Sequence, residues 1–207
     1  MRLGAWLHEP LGGVLNLRFL GDALDHWKGS LFESLQAARA LRNFAADPMA
    51  SDLRLWKSED FTVFANLLRL SPSQIIQHQV TLQQRAKYFA EISHRGDIFL
   101  DPDTGIATGR MKTTHVGPCE IGHLLDSPTD RLLVVYQHVR GHRVSIRVDA
   151  VLRVLQKEIG RFSWTSYESG TVAMLFLSRT PERTEQVASH FKSILGRHSS
   201  GRVRCQG

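Results

Sequence analysis

The chain has 207 residues, 42% of them hydrophobic, and its 26 lysines and arginines against 20 acidic residues give a formal net charge of +6. This length suits one buried core, and the longest apolar runs are shorter than the roughly 20 residues of a membrane-spanning helix. We therefore expect one domain over residues 1–196, a basic, flexible tail over 197–207 and no membrane contact. The N-terminus lacks a long apolar segment, so a cytoplasmic location is expected.

The first half of the chain predicts mainly helices. Residues 14–20 are typical of a short strand, and leucines at three- and four-residue steps predict an amphipathic helix within 23–45 that Asp47-Pro48 ends. A further strand at 53–56 and a short helix after Ser58 are expected next. Ser71-Pro72, a serine cap with proline at the first helical position, predicts a long helix that continues to about Ile92.

The second half alternates strands and helices. Strands are predicted at 97–101, 132–136, 162–167 and 171–177, and helices at 117–125, after residue 143 and from Thr180 to Gly196. This alternation indicates an α/β fold with a mostly parallel sheet flanked by helices.

Polar residues follow two of the predicted strands. Asp101 and Asp103 end the first, and His138, Arg140 and Arg143 follow the second. Ligands of open parallel sheets sit at the carboxyl ends of strands, so these side chains are candidates for proton transfer, metal binding or, for the arginines, phosphate binding. The alternative is that both aspartates only stabilise turns.

A second polar group lies where the first predicted strand meets its helix. Asp22, Asp25 and Lys28 occupy this junction, which is a usual cofactor position in α/β folds. The alternative is a helix N-cap formed by one of the aspartates. The signatures GxxxxGK[ST], GxGxxG, GxSxG and HExxH are absent, which excludes the best-known phosphate-loop, dinucleotide, hydrolase and zinc-protease motifs.

Three blocks of the sequence carry a resemblance. Residues 21–28, 97–106 and 134–138 together look like a functionally obscure bacterial family with the same blocks, including an Asp-Pro-Asp-(Thr/Asn)-Gly strand end. The middle block is also similar to the Asp-Pro-Pro strand end of Rossmann-type nucleic-acid methyltransferases, where that loop holds a target amine beside S-adenosylmethionine. Only Asp101 and Pro102 match that motif, because Asp103 replaces the second proline and no glycine-rich first-strand loop is present.

The resemblance implies a Rossmann-like, methyltransferase-like core that acts on nucleic acid or a nucleotide. Asp101, Asp103 and His138 are its expected catalytic residues, and S-adenosylmethionine is its expected cofactor. A metal-dependent nuclease is the main alternative, with Mg²⁺ bound by Asp22, Asp101 and Asp103. A non-catalytic basic module that binds nucleic acid is the third.

Overall fold

The computed structural model describes residues 17, 20–93, 95–127, 130–139 and 143–206. Its helices are α1 (Ala23–Ala37), α2 (Ser58–Leu67), α3 (Arg85–Ile92), α4 (Pro118–Leu125), α5 (Val144–Ile159) and α6 (Pro181–Leu195). Its strands are β1 (Ala45–Asp47), β2 (Ile98–Leu100), β3 (Gly105–Ile106), β4 (His115–Val116), β5 (Leu133–His138), β6 (Ser163–Ser169), β7 (Val172–Ser178) and β8 (Val203–Cys205). The fold is therefore α/β, as expected. The strand predicted at 14–20 lies largely outside the described residues.

The main sheet has the strand order β1-β2-β5-β7-β6-β8, and β3 and β4 form a separate parallel pair. β1, β2 and β5 are parallel neighbours, whereas β7 is antiparallel to both β5 and β6. Hence β1, β2, β5 and β6 all run in one direction, and β7 and β8 run in the other. The sheet is mixed rather than mostly parallel, because the short turn at Gly170 joins β6 to β7 and a hairpin must be antiparallel.

Each face of the sheet carries its own hydrophobic core. On one face, α1, α2 and α6 pack against side chains such as Phe99, Val134 and Phe176. On the other, α3, α4 and α5 pack against neighbours such as Leu100 and Val135. β2 and β7 are almost entirely apolar because both of their faces are buried. None of the helices in the described part of the chain is long and apolar enough to cross a membrane.

The first helix is shorter than expected. α1 ends at Ala37, and Arg39 and Asn43 then take left-handed backbone conformations, with φ of 55° and 47°. These two residues turn the chain so that Ala45–Asp47 enters the sheet as β1. Asp47-Pro48 therefore ends a strand and not a helix. The strand expected at 53–56 is instead a 3-10 turn at Leu53–Leu55.

The long helix expected from residue 71 to about 92 is also wrong. The serine cap begins only a 3-10 turn at Pro72–Gln74, and the α-helical part is α3. Between them the chain is extended and runs parallel to β1, where Ile76 N donates to Ala46 O at 2.8 Å and Val80 N to Ala50 O at 2.9 Å. Hydrogen bonding to the open edge of β1 outweighs the local helix signal.

The predicted strands around residues 97–101 and 132–136, the β6–β7 hairpin, α4 and α6 are confirmed. The C-terminal segment differs from the flexible tail expected at 197–207. Its residues Val203–Cys205 form β8, which pairs with β6 through Thr165, Ser166 and Tyr167. Backbone hydrogen bonds to the edge of the sheet hold this segment in place.

Candidate functional site

The order of the strands reverses at the carboxyl ends of β1 and β2, and we call this place the crevice. After β1 the chain passes α2 to the extended segment at 75–80 on one side of β1, and then passes α3 to reach β2 on the other side. α2 and α4, the helices that follow β1 and β2, lie on opposite faces of the sheet, so the carboxyl ends of these two strands lie at a topological switch point. Ligands of open α/β sheets bind at such points. Asp47-Pro48 ends β1, and Asp101-Pro102 follows β2 directly.

Three charged side chains meet on the α1 side of this crevice. Lys28 Nζ donates to Asp101 Oδ2 at 2.7 Å and to Asp25 Oδ1 at 3.0 Å. All three are buried, with 5%, 4% and 6% of Lys28, Asp101 and Asp25 exposed. α1 brings Lys28 here because Asp22 caps the helix, accepting from Leu24 N at 2.8 Å. We call Lys28, Asp25 and Asp101 the lysine cluster.

The lysine cluster holds two carboxyl groups and one ammonium group. Burial alone would lower the pKa of Lys28, but the carboxylates of Asp101 and Asp25 outweigh it and the pKa is raised. Burial raises the pKa of Asp101, which Lys28 opposes and the charges of Asp25 and Asp22 reinforce. The ammonium therefore stays charged, and two carboxylates share its one positive charge.

Two aromatic side chains of β5 complete this side. Lys28 Nζ lies 4.3 Å from the centre of the Tyr136 ring, a cation–π contact. The His138 ring packs edge-on against Tyr136 with 4.7 Å between ring centres. The Tyr136 hydroxyl is buried and has no hydrogen-bond partner among the described residues. Burial and the nearby carboxylates raise its pKa, so the phenol remains protonated and able to donate.

The other side of the crevice holds a second buried acid. Asp47 is completely buried and accepts hydrogen bonds from Met49 N at 2.7 Å and from the Tyr88 hydroxyl at 2.5 Å. Burial raises the pKa of Asp47 to about 7, although both hydrogen bonds act against the rise and the charge of Asp101 adds to it. Asp101 N also donates to Asp47 O at 2.9 Å, so the two strand ends are directly joined.

The turn after β2 is held by a buried glutamine. Ile106 N donates to Gln137 Oε1 at 2.9 Å, and Gln137 Nε2 donates to His138 O at 2.8 Å. Gly105 has φ of +83°, and a Cβ there would lie 2.4 Å from the Gln137 side chain. The Asp-Thr-Gly turn thus requires glycine and fixes the segment that carries Asp103.

The structure brings some of the predicted site residues together. Lys28 contacts both Asp25 and Asp101, and Asp22 caps α1 beside them. The His138 ring packs against the Tyr136 ring, which Lys28 also contacts. Arg143 is exposed at the start of α5, whereas Arg140 lies outside the described residues. No group of three His, Cys, Asp or Glu side chains within the described ranges is placed to share a metal ion.

Sequence reasoning did not select Asp47 or Tyr88 as site residues. The available signal was the repeated Asp-Pro pair at 47–48 and 101–102, since each pair follows an apolar segment. The two pairs are equivalent only once residues 45–47 are recognised as a strand.

Comparison with known proteins adds little to this description. No protein-family model and no curated protein matches the chain. Solved structures do match it, among them the crystal structure of protein LPL1258 from Legionella pneumophila, of family DUF519, with a TM-score of 0.40 and 12% identity. The match covers 82% of this chain, and the chain spans 62% of the length of that protein. At this level of likeness the function has to be argued from the site itself.

Proposed function

We propose that the protein is an enzyme with a Rossmann-like, methyltransferase-like core that acts on nucleic acid or a nucleotide. The observation that carries this proposal is the switch-point crevice between Asp47-Pro48 and Asp101-Pro102. Four strands of common direction end at the same edge, and the strand order reverses beside β1. This arrangement is the one in which doubly wound α/β proteins bind nucleotide-like ligands.

The charges of the crevice suit S-adenosylmethionine as the cofactor. This cofactor carries a sulfonium, an ammonium and a carboxylate group, so its net charge is positive, and it supplies an electrophilic methyl group when bound. The lysine cluster and Asp22 contribute three carboxylates against one ammonium. An excess of carboxylate attracts a cationic ligand, and burial strengthens the attraction. Asp22, Asp25 and Asp101 are therefore the residues that would hold the positive end.

The loop after β1 contains no glycine, but one of its residues takes a backbone conformation that favours glycine. Met49 has φ of 50°, in the left-handed region that favours glycine, and its amide is fixed by Asp47. In dinucleotide-binding loops a glycine permits close approach of the backbone to a pyrophosphate. S-adenosylmethionine has no pyrophosphate, so this requirement falls away.

Basic side chains on the same edge suit an anionic substrate. Arg110 and Lys112 are exposed in the loop between β3 and β4, and Arg143 is exposed at the start of α5. Lysine and arginine attract phosphates and release counterions when they bind them. In this proposal Asp101 also orients the acceptor group, Lys28 fixes Asp101, and His138, whose ring packs against Tyr136, accepts a proton.

The metal-dependent nuclease remains the second proposal. Its expected ligands are Asp22, Asp101 and Asp103, and within the described ranges they are not placed as a group to share a metal ion. The lack of a three-ligand group among the described residues makes methyl transfer the first proposal, and a non-catalytic binding module gives no role to the buried charge of the lysine cluster.

Isothermal calorimetry with S-adenosylmethionine tests the proposal. We expect the wild type to bind and Asp101→Asn to bind about tenfold more weakly, because the crevice loses one negative charge while Lys28 keeps its contact with Asp25. Asp52→Asn is the matched control, since Asp52 pairs with exposed Arg54 outside the crevice. The transfer of a radiolabelled methyl group to RNA or DNA is then measured.

The outcomes distinguish the methyltransferase, the nuclease and the non-catalytic binding module. Absence of binding at saturating S-adenosylmethionine would remove the cofactor and with it the leading proposal. Cleavage of RNA or DNA with Mg²⁺, lost in Asp101→Asn and kept in Asp52→Asn, would establish the nuclease. Nucleic-acid binding that is unchanged in Asp101→Asn, without methyl transfer or cleavage, would leave a binding module.

A further inference from the structure

Basic side chains from three elements converge on the short strand β4. Arg85 of α3 donates from Nη2 to His115 O at 2.8 Å. Arg147 of α5 donates to Thr108 Oγ1 at 2.7 Å and to Ile106 O at 3.0 Å, beside the partner strand β3. Lys112 lies exposed in the loop that precedes β4. We call these residues the β4 basic cluster: Arg85, Lys112, His115 and Arg147.

The β4 basic cluster has little compensating negative charge. Arg85 is paired with Glu120, to which its Nη2 donates at 2.7 Å. Arg147, by contrast, contacts neutral oxygens in both of its hydrogen bonds. Burial, followed by the charges of Lys112, Arg147 and Arg85, lowers the pKa of His115. The groups facing His115 are thus three cations, with Glu120 bound to one of them.

Two buried polar atoms of this cluster have no hydrogen-bond partner among the described residues. They are Arg85 Nη1, on a side chain that is only 9% exposed, and His115 Nδ1. Leaving such atoms unpaired costs free energy, so each calls for a ligand or water. Arg183 also has unpartnered nitrogens, but it is fully buried against Asp97. The β4 basic cluster differs because it reaches the surface at Lys112.

We propose that the β4 basic cluster binds one phosphate group. A phosphate offers several acceptor oxygens and negative charge, which complement the Arg85 donor, a protonated His115 ring and the flanking cations. The source of the phosphate, a nucleotide or a nucleic-acid backbone, rests on the proposed function. The binding site itself rests on these contacts alone, because it lies around β4 and uses no residue of the lysine cluster.

The His115 ring reports directly on the bound phosphate. An anion beside the imidazole favours its charged form, so the pKa of His115 rises when the site fills. We expect the pKa of His115 to rise by about one pH unit or more at saturating inorganic phosphate. NMR of the histidine ring carbons measures this pKa, and the His115→Gln variant identifies the His115 signal. This titration requires neither S-adenosylmethionine nor catalysis.

Substitutions inside and outside the β4 basic cluster test where the phosphate binds. We expect Arg147→Gln and the exposed Lys112→Gln each to weaken phosphate affinity severalfold to about tenfold. Arg153→Gln, an exposed substitution elsewhere on α5, should leave it unchanged. The proposal would be overturned if phosphate did not shift the pKa of His115, or if the shift were the same in the wild type and in both cluster variants. An equal shift of the His115 pKa with every anion tested, chloride included, would also overturn it.

Two further ligands identify the source of the phosphate. A nucleoside 5′-monophosphate presents a monoester, and an oligonucleotide without terminal phosphates presents only diesters. Stronger binding of the first assigns the site to a nucleotide, and stronger binding of the second assigns it to a nucleic-acid backbone; both support the site. Because these titrations omit S-adenosylmethionine, the phosphate site can stand even if the methyltransferase proposal fails.

Discussion

The pH dependence of stability provides a test of the buried acid at the end of β1. Asp47 is completely buried, and burial raises its pKa to about 7, against its ordinary value of 3.8. A carboxyl with a raised pKa stabilises the folded state while it is protonated in that state. Its contribution is complete below about pH 4 and is lost as pH rises through about 7. Asp47→Asn cannot ionise and should abolish this loss.

The magnitude follows from the two pKa values. Asp47 titrates about three pH units higher in the folded state than in the unfolded chain, and each unit corresponds to about 1.4 kcal/mol. Full ionisation therefore costs the folded protein about 4 kcal/mol. Between pH 5 and pH 8 we expect Asp47→Asn to gain about 3 kcal/mol relative to wild type, because part of the loss occurs below pH 5.

Urea denaturation of both proteins at several pH values measures this difference. Other titrating groups largely cancel, because they are common to the two proteins. Asp52→Asn serves as the control, since the pKa of Asp52 is lowered by its bond with Arg54 and its carboxyl is ionised in both states above pH 5. A constant difference between Asp47→Asn and wild type from pH 5 to pH 8 would refute the argument from burial.

Two further substitutions test the structure of the site. Lys28→Met leaves two buried carboxylates without their cation and should lower the free energy of unfolding by about 3–5 kcal/mol at neutral pH. The loss should be smaller at pH 5, because burial raises the pKa of Asp101 and removal of the cation favours its protonated form; an equal loss at both pH values in urea denaturation would contradict this. Gly105→Ala combines a left-handed φ with a clash against a buried glutamine and should cost about 1–3 kcal/mol, whereas Gly109→Ala in the following loop should cost little, because nothing lies within 4 Å of its added Cβ. Similar melting temperatures for the two alanine variants would count against the role of Gly105.

Elements with complete local signals could be predicted from the sequence. α6 begins with proline after Thr180 and ends before Gly196, and its apolar stripe has helical spacing. β2 is a short apolar segment bounded by loop residues. In these places propensity, capping and burial all favour the same structure, so tertiary contacts had nothing to reverse.

Elements that depend on distant partners could not be predicted. β1 contains only Ala45–Asp47, and its apolar residues extend the helical stripe before it. The segment after Ser71 has a helix cap, but it becomes extended because the edge of β1 supplies its hydrogen-bond partners. Short elements of this kind are stabilised by their neighbours in the sheet, and the spacing of residues along the chain does not indicate which neighbours those are.

The site was only partly predictable for the same reason. The strand-end position of Asp101 followed from the apolar residues before it, and Asp22 as a helix cap was one of the two roles considered. The contact of Asp101 with Lys28 joins residues 73 positions apart, and no local pattern indicates that Lys28 turns inward. Asp47 was overlooked because Asp-Pro also ends helices.

The distribution of charge around the crevice is more informative than the overall charge of +6. Inside, two buried carboxylates contact a single ammonium and Asp22 caps α1 beside them, whereas the exposed residues of the β3–β4 loop and the start of α5 are basic. A uniformly basic binding surface does not require buried acids, which cost free energy unless they are paired. An enzyme that joins a cationic cofactor to an anionic substrate requires both, with the acids at the strand ends and the bases at the rim. This separation of charge is the physical reason for preferring methyl transfer to nucleic-acid binding alone.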